Sequence, residues 1–307
     1  MDSTEQVDYP LLEELPDEIL TLIMEYLIEP RTYQQGDRPW RNLMPITLIS
    51  RRINRIATNP RLWSIFTINS SWNMERTLLI LNMPRMSTIQ TLDICITPQH
   101  SPAQIKMMLE ICSRRGGNNT DLFRTQSNAN FAEVEPELVT KVMTNCGLAR
   151  IENDSLTNEQ IMNVLEKLLK DKCKITGIRT LSSERTSLHE PFQAGGEMFN
   201  FADPNLVARA LCRLTVVIIE NTSLASRMST DHIIAILTQI ATKQDQLQVF
   251  SYILPSVRHG GPSYPSLEAL DRTTARRLTA MVREGQVEIN YILPSIREAA
   301  GEAYRIW

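Results

Sequence analysis

Two pairs of segments in this 307-residue chain repeat, and repetition constrains a fold more tightly than any single motif. Val134-Glu135-Pro136-Glu137-Leu138-Val139 stands 68 positions before Ala202-Asp203-Pro204-Asn205-Leu206-Val207. Ile151-Glu152-Asn153-Asp154-Ser155-Leu156 keeps the same offset to Ile219-Glu220-Asn221-Thr222-Ser223-Leu224. Ile161 and Leu165 then correspond to Ile233 and Leu237, after extra residues near 225–228. In a tighter pair, Tyr252-Ile253-Leu254-Pro255-Ser256 returns 39 positions later as Tyr291-Ile292-Leu293-Pro294-Ser295. A unit this short cannot bury its apolar face alone, so repeated units must stack on their neighbours.

Spacing inside the unit gives its local structure. Leu214, Val217, Ile219, Thr222 and Leu224 fall at relative positions 1, 4, 6, 9 and 11. Weaker copies occur at Ile89, Leu92 and Ile94, at Cys146, Ala149, Ile151, Asp154 and Leu156, at Leu247, Phe250 and Tyr252, and at Ile289 and Tyr291. The stretch around positions 4 to 6 predicts a short strand whose alternate side chains face inward and outward. Helices follow most strands. Pro102 opens 103–114, Thr157 or Asn158 caps 159–170, Ser229 or Thr230 caps 231–243, and Ser266 opens 267–283, which Gly285 stops. A further short helix is expected over 206–211. Alternating strands and helices fit either a doubly wound sheet or a repeat solenoid, and the repeats favour the solenoid. The ladder resembles the leucine-rich repeat over roughly residues 88–300, with threonine where asparagine is common. The fold class expected is therefore an α/β repeat: a degenerate leucine-rich-repeat solenoid over 67–307, with insertion loops near 182–200 and 258–265.

Partner recognition in such an array is written on the outward strand positions. The candidate target-binding face comprises Glu152, Arg179, Ile218, Glu220, Ile253 and Ile292. Three isoleucines on a solvent-facing surface are unusual, so either a target covers them or helices or the C-terminal tail of the chain do.

The N-terminal part reads differently. Pro16 suits a helix start, and Asp17 and Glu18 place negative charge on its positive end. Leu15, Ile19, Ile23 and Leu27 recur at four-residue spacing with Leu20, Leu22, Met24 and Tyr26 beside them. A second stripe runs through Leu43, Ile46, Leu48, Ile49, Ile53 and Ile56. About fifty residues cannot bury this much apolar surface alone, so the surplus is either a partner surface or a cap on the following array. Residues 11–66 resemble an F-box, a three-helix module that binds a Skp-family adaptor and through it a cullin. The resemblance rests on Leu15, Pro16, Glu18, Ile19, Leu20, Ile23 and Leu27, then Leu48-Ile49-Ser50-Arg51-Arg52, then Leu62 and Trp63. It implies an adaptor-binding set of Leu15, Pro16, Ile19, Leu20, Ile23, Leu27, Leu48, Ile49, Leu62 and Trp63. Ile53 replaces the tryptophan usual in that family, and the link from Leu27 to Leu43, with Pro30, Gly36, Pro39 and Trp40, is longer than usual. Residues 1–10 are expected to be disordered.

Composition sets limits. A net charge of −3 argues against a general nucleic-acid binder. No apolar run reaches membrane-spanning length, and the acidic start MDSTEQVDYP does not resemble a signal peptide. The five cysteines are odd in number and widely spaced, which suits free thiols in a reducing cytoplasmic or nuclear compartment. The four histidines, His100, His189, His232 and His259, lack metal-ligand spacing, and His232 is expected at a helix surface. No phosphate-binding or nucleophile-elbow motif occurs, so neither catalysis nor a cofactor is expected. The reading that follows is a protein-interaction adaptor, the substrate-recognition subunit of an SCF-type ubiquitin ligase, its target unidentified. The alternative is a leucine-rich-repeat scaffold without a ligase role.

Overall fold

Several helix starts in this chain are set by side chains that accept from exposed backbone N–H groups. A computed structural model describes residues 14–28, 50–57, 65–68, 91–114, 120–126, 129–152, 155–182, 198–221, 227–242, 246–254 and 265–301. The chain divides into two units, Met1–Leu92 and Asp93–Trp307.

In the first unit, α1 (Asp17–Ile28) begins directly after Pro16, whose carbonyl accepts from the Leu20 N–H at 3.0 Å. The second helix, α2 (Arg51–Ala57), is capped by Ser50, whose hydroxyl accepts from Ile53 N–H at 3.2 Å. α1 packs on α2. Leu20 and Met24 of α1 and Ile53, Ile56 and Ala57 of α2 are buried, each large side chain contributing about 1.5–3 kcal/mol. A short strand, β1 (Ile65–Ile68), completes the described part of this unit.

The remaining strands are β2 (Thr91–Ile96), β3 (Thr120–Thr125), β4 (Leu148–Glu152), β5 (Gly177–Ser182), β6 (Val216–Asn221), β7 (Val249–Ile253) and β8 (Glu288–Asn290). They lie side by side in chain order, and every pair from β3 to β8 is parallel. A doubly wound sheet reverses its strand order part-way; this one does not. The second unit is thus an α/β repeat. Its helices are α3 (Pro102–Arg114), α4 (Pro136–Asn145), α5 (Asn158–Lys170), α6 (Pro204–Leu211), α7 (Thr230–Thr242), α8 (Arg272–Arg283) and α9 (Leu293–Ala299). Successive helices from α3 to α9 pack on one another and form one layer.

The inward ladder is largely buried. Cys146, Ala149, Ile151, Leu214, Val217, Ile219, Phe250, Tyr252 and Ile289 are buried, as the spacing predicts, and Leu156 is half-buried; the burial of Ile89, Leu92, Asp154, Thr222 and Leu224 lies outside the described residues. The repeat is also maintained in hydrogen bonds. Gln160, third residue of α5, forms a capping box with Thr157 and donates from Nε2 to the carbonyls of Phe131 and Val134, both at 2.8 Å. His232, third residue of α7, reaches the carbonyl of Ala202 with Nε2 at 3.0 Å. Val134 and Ala202 are the equivalent positions of the two repeats. Because a carbonyl only accepts, His232 Nε2 carries the proton. In the neutral ring, Nδ1 then accepts from the Ser229 hydroxyl at 2.6 Å. His232 is buried, not at the surface as expected, because it spans the gap that Gln160 spans one repeat earlier.

Several elements differ from the sequence expectation. Strand β3 and helix α4 lie outside the expected elements, although α6, the repeat partner of α4, is among them. Helix α8 starts at Arg272, because Asp271 is the stronger cap: its Oδ1 accepts from Thr273 N–H at 2.9 Å and Thr274 N–H at 3.0 Å. Gly285 ends it in the left-handed region, φ 71°, as expected. After Asn290 the chain turns through Tyr291, φ 69°, into α9. Tyr291 is consequently exposed instead of continuing a ladder, and Ile292 is fully buried.

Candidate functional site

Two surfaces carry side chains that their own elements leave uncovered. The first lies on α1. Burial of Leu20 and Met24 turns one stripe of the helix toward α2 and leaves Ile19 and Leu22 at 42% and 58% exposure. Leu15 and Ile23 are half-buried and Pro16 is exposed. Leu20 thus belongs to the α1–α2 core and not to an exposed adaptor face. Leu22, outside the adaptor-binding set that the resemblance implies, is the most exposed large apolar residue of the helix among the described residues. Leu48, Ile49, Leu62 and Trp63, and the side chain of Leu27, lie outside the described residues.

The orientation of this face is held by charge. Arg52 donates to Asp17 Oδ1 from Nε at 2.8 Å and Nη2 at 2.6 Å, and Nη2 also reaches the Leu15 carbonyl at 2.7 Å. Arg55 donates to Asp17 Oδ2 at 2.9 Å. The basic run 51–55 is therefore not merely a solvated face. The Arg52 guanidinium, helped by Arg55, holds the Asp17 carboxyl below its usual value of 3.8 against a smaller opposing effect of desolvation. A folded-state value below the unfolded one means that this contribution is complete above about pH 4 and disappears as pH falls through the folded value. The stability difference between the wild-type chain and Asp17→Asn, followed by thermal unfolding, is expected to shrink steadily below about pH 4. A difference that stays constant down to roughly pH 2 would mean that the carboxylate's charge has no part in holding α1 to α2.

Residues 12–69 match the F-box-like family. The chain therefore carries an F-box-like domain at its N-terminal end, and the exposed Ile19–Leu22 edge belongs to it. No curated protein matches the chain.

The second surface is the outward face of the sheet. Strand register brings Arg124, Arg150 and Arg179 directly opposite one another on β3, β4 and β5, and continues the row through Ile218, Ser251 and Asn290. The next row contains Glu152, Leu181, Glu220 and Ile253. Of the sequence-derived set, Glu152, Arg179, Ile218, Glu220 and Ile253 are thus brought onto one face, half-buried. Ile292 is not; it is enclosed at the start of α9, and its assignment to a target-binding face is corrected. Arg179 donates from Nη2 to Glu220 Oε1. Cys95 of β2 is near the same row. Burial pushes its thiol pKa up, and the charges of Arg124 and Arg150 pull it down.

Arg150 was legible as the residue between ladder positions Ala149 and Ile151. Arg124 was not, because Thr120–Thr125 has too few apolar residues to be read as a strand. Among the described histidines, His100 and His232 are both buried. His189 and His259 lie outside the described residues. Among the described residues no helix is long and apolar enough to cross a membrane.

Proposed function

We propose that this chain is a substrate-recognition subunit of an SCF-type ubiquitin ligase. The F-box-like domain docks a Skp-family adaptor, and through it a cullin, while the repeat unit presents a target protein. The observation that carries this reading is the exposed apolar edge of α1, Ile19 and Leu22, inside the segment that matches the F-box-like family. The repeat unit acts as a leucine-rich-repeat-like solenoid, supported by its chain-order parallel strands and largely buried inward ladder. On this reading no residue of the chain makes or breaks bonds. It contributes by holding target and ubiquitin donor at high effective concentration. The place of action is the cytoplasm, the nucleus or both.

The test is co-expression of the full chain with a Skp-family adaptor and purification through a tag on the adaptor. A stoichiometric complex that also retains a cullin supports the ligase role. A folded chain that never co-purifies assigns the protein to the scaffold reading instead.

A further inference from the structure

Arginines facing each other on adjacent strands repel, and like charges directly opposite destabilise a sheet. Arg124, Arg150 and Arg179 do so on three consecutive strands. Among the described residues, only Arg179 of this row has a carboxylate ion-pair partner, Glu220. A fold that needed only to be stable would place at least one neutral residue here, as it does at Ile218 in the following strand. Leu148 and Leu181 lie on the same face, two residues from Arg150 and Arg179 along their strands, and offer apolar contact beside the charges.

We propose that the arginine row binds an acidic peptide segment of the target protein, its carboxylates seated on Arg124 and Arg150. This deepens the reading of the sheet as a target-binding face and rests on that part of the proposed function, but not on adaptor docking. Geometry sets the size of the segment. Three strands at about 4.8 Å spacing span roughly 10 Å, which an extended peptide covers in three or four residues. Guanidinium groups bind carboxylates in a fork geometry, and the row offers two that have no ion-pair partner among the described residues. The occupant is a peptide with consecutive glutamates or aspartates. Glu220 remains on Arg179, and Glu152 in the adjacent row selects against a segment with further acidic residues on that side.

The test uses fluorescence anisotropy of the full chain with three labelled peptides: one carrying four consecutive glutamates, one carrying four lysines and one carrying a single phosphoserine without glutamate. The glutamate peptide is expected to bind, to weaken as salt rises and to lose at least tenfold in affinity in Arg124→Glu, Arg150→Glu. The exposed helix variant Arg277→Glu is expected to bind as wild type does. A second variant separates binding from folding. Arg150→Met removes the repulsion, so it should raise the melting temperature of the free chain and still weaken the peptide. Absence of binding by the glutamate peptide, or equal binding in the charge-reversal variant, would overturn the proposal. So would preference for the phosphoserine peptide over the glutamate one. Adaptor co-purification is scored separately, so failure of peptide binding with intact adaptor capture overturns this inference alone.

Discussion

Replacing Ile19 and Leu22 together by glutamate is expected to abolish capture by a Skp-family adaptor while leaving the chain folded. Both side chains are already largely in solvent, at 42% and 58% exposure, so the free protein loses little packing. Surface changes of this kind stay within about 0.5 kcal/mol. At an interface the arithmetic differs. Each buried large aliphatic side chain is worth about 1.5–3 kcal/mol, and each glutamate would have to be desolvated without a partner. The affinity should fall at least about a hundredfold, read by isothermal titration or by loss of co-purification. The partner variant Leu20→Ala acts differently. It removes a side chain buried between α1 and α2, so it should lower the stability of the domain before it touches adaptor affinity. If the double glutamate variant binds the adaptor as wild type does, the exposed α1 edge is not the docking surface.

The second large effect concerns the bridges that join the starts of α5 and α7 to the loop before the preceding helix. Gln160→Ala is expected to destabilise the repeat unit by about 3 kcal/mol. It strips the Nε2 donor from the Val134 carbonyl, takes one of two donors from the Phe131 carbonyl, which keeps the Val134 N–H at 2.9 Å, and removes half of the capping box on α5. Orphaned buried acceptors cost about 1–3 kcal/mol each, partly recovered if water enters. His232→Ala should act in the same direction with a smaller effect, because one carbonyl is served there. The equivalence of the two positions makes a sharper claim: His232→Gln should restore most of what His232→Ala loses. Urea unfolding of the three variants decides it. A glutamine variant as unstable as the alanine one would mean that the histidine ring is held for its shape and not for its donor.

How much of this was legible in the chain depends on how local the cause is. Helices α3, α5 and α7 could be read because their caps and apolar faces lie within a dozen residues of each other, and the start of α5 at Thr157 is a capping box written in four positions. The inward ladder could be read because a strand exposes alternate residues to one environment, which period-two spacing records. The paired segments at 134 and 202 announced stacked units for the same reason: equivalent positions meet equivalent neighbours.

The outward face could not be read this way. Arg124, Arg150 and Arg179 are separated by 26 and 29 residues, and only strand register makes them neighbours. The Tyr-Ile-Leu-Pro-Ser pair shows the limit most plainly. In the first copy, Tyr252 is buried in β7 between two partner strands. In the second, Tyr291 is exposed after β8, Ile292 is enclosed, and the chain enters α9. The local sequence is the same, but β8 is the last strand in the sheet order and stops after three residues. Among the described residues no strand pairs with the far side of β8, and there the backbone gains more by turning into a helix that packs on α8 than by continuing an unpaired edge. The sequence by itself determined the period, the inward ladder and the amphipathic N-terminal helix, because each arises from contacts within one unit. The tertiary structure alone decided which outward charges share a face and where β8 gives way to a helix, because both depend on which strand lies next to which.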